Sequence, residues 1–244
     1  MQLPHPTDYQ VVELRRYLIR DGECGHFAAH FDSYFPEAFE QLGAIAFGQF
    51  LERGSERFTW LRGFRDMDAR AVVNAAFYYG PVWKQHKATL NGLMLDSDDV
   101  LLLHPLRDGD GVAVLPTLDA VAEAGGARGM AVAQLFALAG KDIEAFAEQA
   151  RPTFDAYRAS GARPAGLLAT LDAPNNFPQL PVRTDGHWLV WLGLVEDAAM
   201  LGRWQTVQQH ALPALQATGL LRAAPETLVL DPTRRSRLRW LHAP

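Results

Sequence analysis

FTWLRGFRD at residues 58–66 and LVWLGLVED at residues 189–197 are the two stretches that decide the fold. Laid side by side without a gap, they share Trp60 with Trp191, Leu61 with Leu192 and Asp66 with Asp197. Each starts as a run of β-formers and ends on an acid suited to a helix start, where a carboxylate can accept from free backbone N–H groups. Three identities in nine residues are weak support alone, so the order of elements around each stretch has to agree as well.

It agrees. Ahead of the first stretch, YQVVELRRY at 9–17 alternates like a strand, Phe27, Phe31, Phe35, Phe39 and Leu42 recur at helical spacing until Gly43, and 45–51 is a strand joined on by ERGSE, a polar hairpin turn. Behind it, Asp66 opens an Ala-rich helix to about Tyr79, Gly80 and Pro81 break it, and 100–103 is a closing strand. The second half repeats that βαββαβ order: strand 130–138, helix 142–160, strands 166–171 and 188–195, helix 198–211, strand 227–230. This predicts an α+β fold of tandem ferredoxin-like units at 1–107 and 129–244, with a Gly-, Ala- and Asp-rich connector at 108–128 carrying one short helix. A single unit leaves one apolar sheet face bare, so two fused units are expected to close face to face as an intramolecular dimeric α-β barrel.

The composition bounds the partners. With 23 basic and 28 acidic residues the formal charge is −5, which argues against a nucleic-acid surface. Cys24 is the single cysteine, so no intrachain disulfide can form and a cytoplasmic setting is expected. MQLPHPTDYQ lacks the apolar core of a signal peptide, and no apolar run reaches the roughly 20 residues a membrane span needs.

The segment WLRGFRDMDARAVVNAAFYYGPVWKQHKATLNGLMLDSDDVLLLHP at 60–105 resembles the NIPSNAP family of the dimeric α-β barrel superfamily, in its two-copy bacterial form. The resemblance is carried by Glu13, Leu14, Arg15 and Tyr17 in VVELRRY, by Trp60 and Arg62, and by FYYGPVW at 77–83; NNFPQLPVR at 175–183 is similar to an extended hairpin loop of two-copy members. It implies the fold more than the function, since the superfamily includes cofactor-free monooxygenases, haem enzymes and proteins of unassigned role.

Glu13, Arg15 and Tyr17 share one face of the first strand, as do Trp60 and Arg62 on its expected neighbour. Pointed into the barrel, they would line a partly closed cavity able to orient a polar group; the plainer alternative is an ion-pair network that satisfies itself. Tyr79, Trp83 and His86 follow the broken helix and join the candidate binding set, with Asn176, Phe177 and Arg183 in a loop stiffened by Pro178 and Pro181 and expected to cover a barrel mouth or a subunit contact. No cofactor is expected; haem, with His86 as ligand, is the lesser alternative. Glu23, His26 and His30 have metal-compatible spacing but belong to the wet side of a Phe-rich helix, so no metal is expected. The arginines at 234, 235, 237 and 239 read as a solvated basic tail.

The leading functional expectation is therefore a small, partly apolar ligand held in a barrel-associated cavity. The alternatives are a cofactor-independent monooxygenase or isomerase acting on an aromatic substrate, and a scaffold, with a homo-oligomer open in each case. Aligning the repeats sets Ala133, Leu135 and Ala137 opposite Glu13, Arg15 and Tyr17, and Gly193 opposite Arg62, so the site is expected in the first copy alone.

Overall fold

The structure, a computed structural model, describes residues 8–241. Residues 1–7 and 242–244, at the outer ends of the two expected units, lie outside the described residues. The chain runs β1 (Val11–Ile19), α1 (Cys24–Tyr34), α2 (Pro36–Gln41), β2 (Ile45–Glu52), β3 (Arg57–Phe64), α3 (Met67–Tyr78), α4 (Pro81–Leu93) and β4 (Met94–Pro105), then β5 (Met130–Ala137), α5 (Ile143–Ala159), β6 (Arg163–Thr170), β7 (Trp188–Val195), α6 (Ala198–Ala217) and β8 (Glu226–Pro232). Asp66 and Asp197 cap α3 and α6, accepting from Ala69 and Met200 three residues on.

The eight strands close one antiparallel barrel in the order β1-β3-β2-β8-β5-β7-β6-β4. Its two halves are the expected tandem sheets, and they are sewn together where Phe50 to Glu52 pair with β8 and Leu103 to Pro105 pair with β6. Closure within one chain satisfies the strand edges that an open sheet would present to other chains. The lumen is a packed core: Val12, Leu14, Leu61, Leu101, Val190 and Leu192 all belong to it. Each such apolar side chain contributes on the order of 1.5–3 kcal/mol by leaving water.

Three local differences from the sequence expectation have clear causes. Pro36 lacks the N–H that would continue α1, so the predicted single helix is two, α1 and α2. After Gly80 and Pro81 the chain does not go straight to a strand but forms α4; a Cβ at position 80 would stand 2.4 Å from the Ala76 carbonyl oxygen, so glycine makes the turn. The connector crosses from β4 to β5 through turns, with no helix among its described residues.

The arginine tail is no solvated run. Arg235 reaches Asp32 and Glu37, Arg237 grips Glu40, and Arg239, 1% exposed, takes both oxygens of Glu123. The C-terminal segment thereby clasps the first repeat's helices and the connector. No helix among the described residues is long and apolar enough to cross a membrane.

Candidate functional site

Strand parity places the candidate residues. Val12 and Leu14 face the lumen, so Glu13, Arg15 and Tyr17 face the other way, toward α1–α4, and Trp60 lies with them in the aromatic layer under those helices. The expectation that this face looks into the barrel is overturned, because the closed lumen takes the uniformly apolar face and leaves the polar one to the sheet–helix layer.

There, Glu13 is fully buried and is the hub of three guanidiniums. Arg15 Nη1 donates to Glu13 Oε2 at 2.9 Å, Arg62 Nε to the same oxygen at 2.7 Å, and Arg70 Nε to Oε1 at 2.6 Å. None of the four is more than 1% exposed. Burial alone would push the Glu13 carboxyl up; Arg62, Arg15 and Arg70 overcome it and hold the group well below the usual carboxylate range. Arg15 Nε also donates to the Tyr17 hydroxyl at 2.8 Å. Arg62 is sandwiched among rings, with its guanidinium carbon 5.1 Å from the centroids of both Trp60 and Phe39.

A cavity of about 320 Å³ opens beside this cluster, between the sheet and the helices. Arg15, Tyr17 and Trp60 form its floor on the sheet, Phe27, Phe31 and the cap residue Phe35 one wall from α1 and its end, and Tyr78, Tyr79, Trp83 and Leu90 the opposite side from α3, α4 and the turn between them. Burial pushes the Tyr78 phenol up from its ordinary value. The volume is that of an ordinary small-molecule site.

The roof comes from the other repeat. In the β6–β7 loop, Phe177, Gln179 and Leu180 line the cavity; Phe177 packs 6.0 Å from Tyr78, and Gln179 accepts from the Tyr79 hydroxyl at 2.6 Å. Asn176 donates to the Met67 carbonyl, and the side-chain oxygens of Asn175 and Asn176 accept from Arg70 Nη1 at 3.0 and 2.7 Å. Arg70 thus bridges the buried cluster to the loop. It was not among the sequence candidates, yet it belongs to the 70, 73, 74, 77 stripe that α3 buries, and that helical spacing was the available signal.

Of the candidate residues, Arg15, Tyr17, Trp60, Tyr79, Trp83 and Phe177 line the cavity; Glu13 and Arg62 stand behind its floor, and Asn176 ties down the roof. Two lie elsewhere. Arg183 sits over Trp188 and binds Asp99 and Asp185 at the barrel mouth, where Asp99 also meets Arg16. His86 stacks on Tyr34 and faces His30, apart from the cavity wall. With neither histidine nor cysteine among the described residues of that wall, the residues present do not fit a histidine-held haem. Burial and its hydrogen bond with Glu56 push the Cys24 thiol up to about 12, so it is no activated nucleophile.

The second repeat fills the equivalent space. Trp60 pairs with Arg15 and Trp191 with Gln134, so the true counterparts of Glu13, Arg15 and Tyr17 are Val132, Gln134 and Phe136. The sequence alignment slipped by one residue and compared a helix-facing row with a lumen-facing row. Gln134 accepts from the Tyr157 hydroxyl. Gly193 stands where Arg62 stands, and the Trp191 ring lies across it: a Cβ there would come within 2.3 Å of that ring. Trp191, Trp204, Phe154 and Tyr157 pack together in the layer.

Residues 12–107 match the NIPSNAP family model. No curated protein matches the chain in sequence. Among solved structures, a candidate monooxygenase from Fusobacterium nucleatum is similar over 96% of both chains at 9% identity, with a TM-score of 0.60. A candidate monooxygenase from Lactobacillus acidophilus covers 95% of this chain and 97% of its own at 13% identity and 0.54, and an anthrone oxidase-like protein covers 99% of each at 9% and 0.54. These likenesses establish the dimeric α-β barrel fold.

Proposed function

We propose that this chain, whose residues 12–107 are a NIPSNAP domain, binds a small, partly apolar molecule in the first repeat's sheet–helix cavity, in the cytoplasm. The observation that carries the proposal is the construction of the cavity: an aromatic enclosure with a few polar groups converging on one side, roofed by a loop from the other repeat. Aromatic walls supply affinity for a flat or branched apolar body, and the Arg15–Tyr17 pair on the floor orients its polar end.

The test is binding of 2-naphthamide followed by tryptophan fluorescence, with Leu180→Trp as the blocking variant, since Leu180 lines the cavity from the loop and can be enlarged without touching a strand. Wild type is expected to bind and Leu180→Trp to bind at least tenfold more weakly at unchanged thermal stability. Equal binding by both would place the ligand elsewhere.

A second reading, an oxygen-using enzyme acting on an aromatic substrate, is favoured by the full-length likeness to the candidate monooxygenases. Arg15 and Tyr17 would then stabilise negative charge developing on a substrate oxygen. Among the described residues the wall offers neither a carboxylate nor an imidazole as a base, so the substrate would have to ionise readily on its own. Oxygen consumption with a hydroxyaromatic compound, abolished by Leu180→Trp, is the result this reading requires.

A further inference from the structure

The charge count inside the first repeat does not close. Three guanidiniums, Arg15, Arg62 and Arg70, converge on the single carboxylate of Glu13, and all four groups are buried. Neutral groups share the load: the rings around Arg62, the amide oxygens of Asn175 and Asn176 on Arg70, and the Tyr17 hydroxyl on Arg15. They soften the excess without cancelling it, and positive charge out of water is costly unless an anion is near.

The unused donors show where an anion would sit. Arg62 Nη1 and Arg70 Nη2 are buried without a hydrogen-bond partner among the described residues, and so is Trp60 Nε1. Arg15 commits Nε to Tyr17 and Nη1 to Glu13, which leaves Nη2 free; Tyr17 accepts from Arg15 and keeps its own proton to donate. Arg15 and Tyr17 line the cavity with polar groups and Trp60 with its ring, whereas Arg62, Arg70 and the buried Trp60 Nε1 stand behind them and contribute field rather than contact.

Resting on the proposed cavity reading, we infer that its ligand is a carboxylate: an aromatic or branched apolar acid whose carboxylate meets Arg15 and Tyr17 and whose body lies among Phe27, Phe31 and Phe177. The donor number selects the group. Two carboxylate oxygens are matched by one guanidinium nitrogen and one hydroxyl, while a phosphate monoester brings three strong acceptor oxygens and nearly twice the charge, which two donors leave under-bonded. A neutral amide would keep a hydrogen bond from Arg15 but give up the ion pair with it, a loss of about tenfold or more in affinity.

The experiment compares 2-naphthoate, 2-naphthyl phosphate and 2-naphthamide at pH 7 by isothermal calorimetry on the full chain, with Arg15→Met and Arg15→Lys alongside. The expected order is naphthoate tightest by about tenfold or more over the amide, with that preference erased in Arg15→Met and partly restored in Arg15→Lys. Equal affinity for acid and amide overturns the carboxylate and leaves the cavity reading standing. Tighter binding of the phosphate overturns the carboxylate in favour of a phosphate ester. Failure of all three probes overturns the cavity reading itself. The three-probe comparison on wild type needs no variant, so it decides the matter even if Arg15→Met does not fold.

Discussion

The two repeats bury the same sheet face in opposite ways. Both keep the strand tryptophan, Trp60 and Trp191, and both open the following helix on an aspartate cap. In the second repeat the positions beside that tryptophan are Val132, Gln134 and Gly193, and the indole folds onto the glycine to fill the layer with rings. In the first they are Glu13, Arg15 and Arg62, and the layer holds an ion cluster and a cavity instead. Packing alone favours the second solution, because replacing a buried ion network by apolar groups of like volume is often neutral or stabilising. The first repeat's arrangement therefore points to selection for something other than stability. The second repeat contributes to it all the same, by lending the loop that roofs the cavity.

Breaking the hub should give the largest effect. Glu13→Gln leaves three buried guanidiniums without their carboxylate and is expected to cost about 3–5 kcal/mol, read as a fall in Tm of roughly 2–4 °C per kcal/mol for a chain of this size. A loss below about 1 kcal/mol would mean that the cluster relaxes into solvent.

The same carboxylate predicts an acid limit. Its folded pKa is depressed, so its contribution is present above the unfolded value of about 4.3 and is lost as pH falls through the lower folded value. Wild-type stability should drop steeply below about pH 4, and Glu13→Gln should lack that part of the drop; denaturant melts across pH 2.5–7 separate the two.

The matching change in the second repeat, Gln134→Leu, should cost only about 1–3 kcal/mol, since it strands one phenol, Tyr157, rather than three cations. It should leave naphthoate affinity untouched. The smallest effect on stability is expected from Asn176→Ala, about 1 kcal/mol, because Asn175 still holds Arg70. Its main effect should be a faster ligand off-rate by stopped-flow as the roof loosens.

Much of this was legible in the residues, and the exceptions are physical. The repeated element order showed because turns, caps and strand runs are local signals, and Trp60, Leu61 and Asp66 fix the offset between copies. The register of β5 did not show, because MAVAQLFA is buried on both faces and carries no polar–apolar period; Gln134, its one polar residue, was the clue to which row faces the helices. The direction in which Glu13 and Arg15 point depends on which face a closed barrel takes inward, and that is set by Val12 and Leu14 meeting strands more than a hundred residues away. Arg70 was hidden for a related reason: on a lone helix an arginine reads as solvent-facing, and only its partner on another element, Glu13, shows that it is buried.

The central claim, that two equal scaffolds carry one site, is tested most directly by a crystal structure of the protein soaked with 2-naphthoate. The account predicts electron density for one molecule in the first repeat, its carboxylate within hydrogen-bond distance of Arg15 and Tyr17, and none among Trp191, Trp204 and Tyr157. Density in the barrel lumen, or in the second repeat's helix layer at equal occupancy, would contradict it.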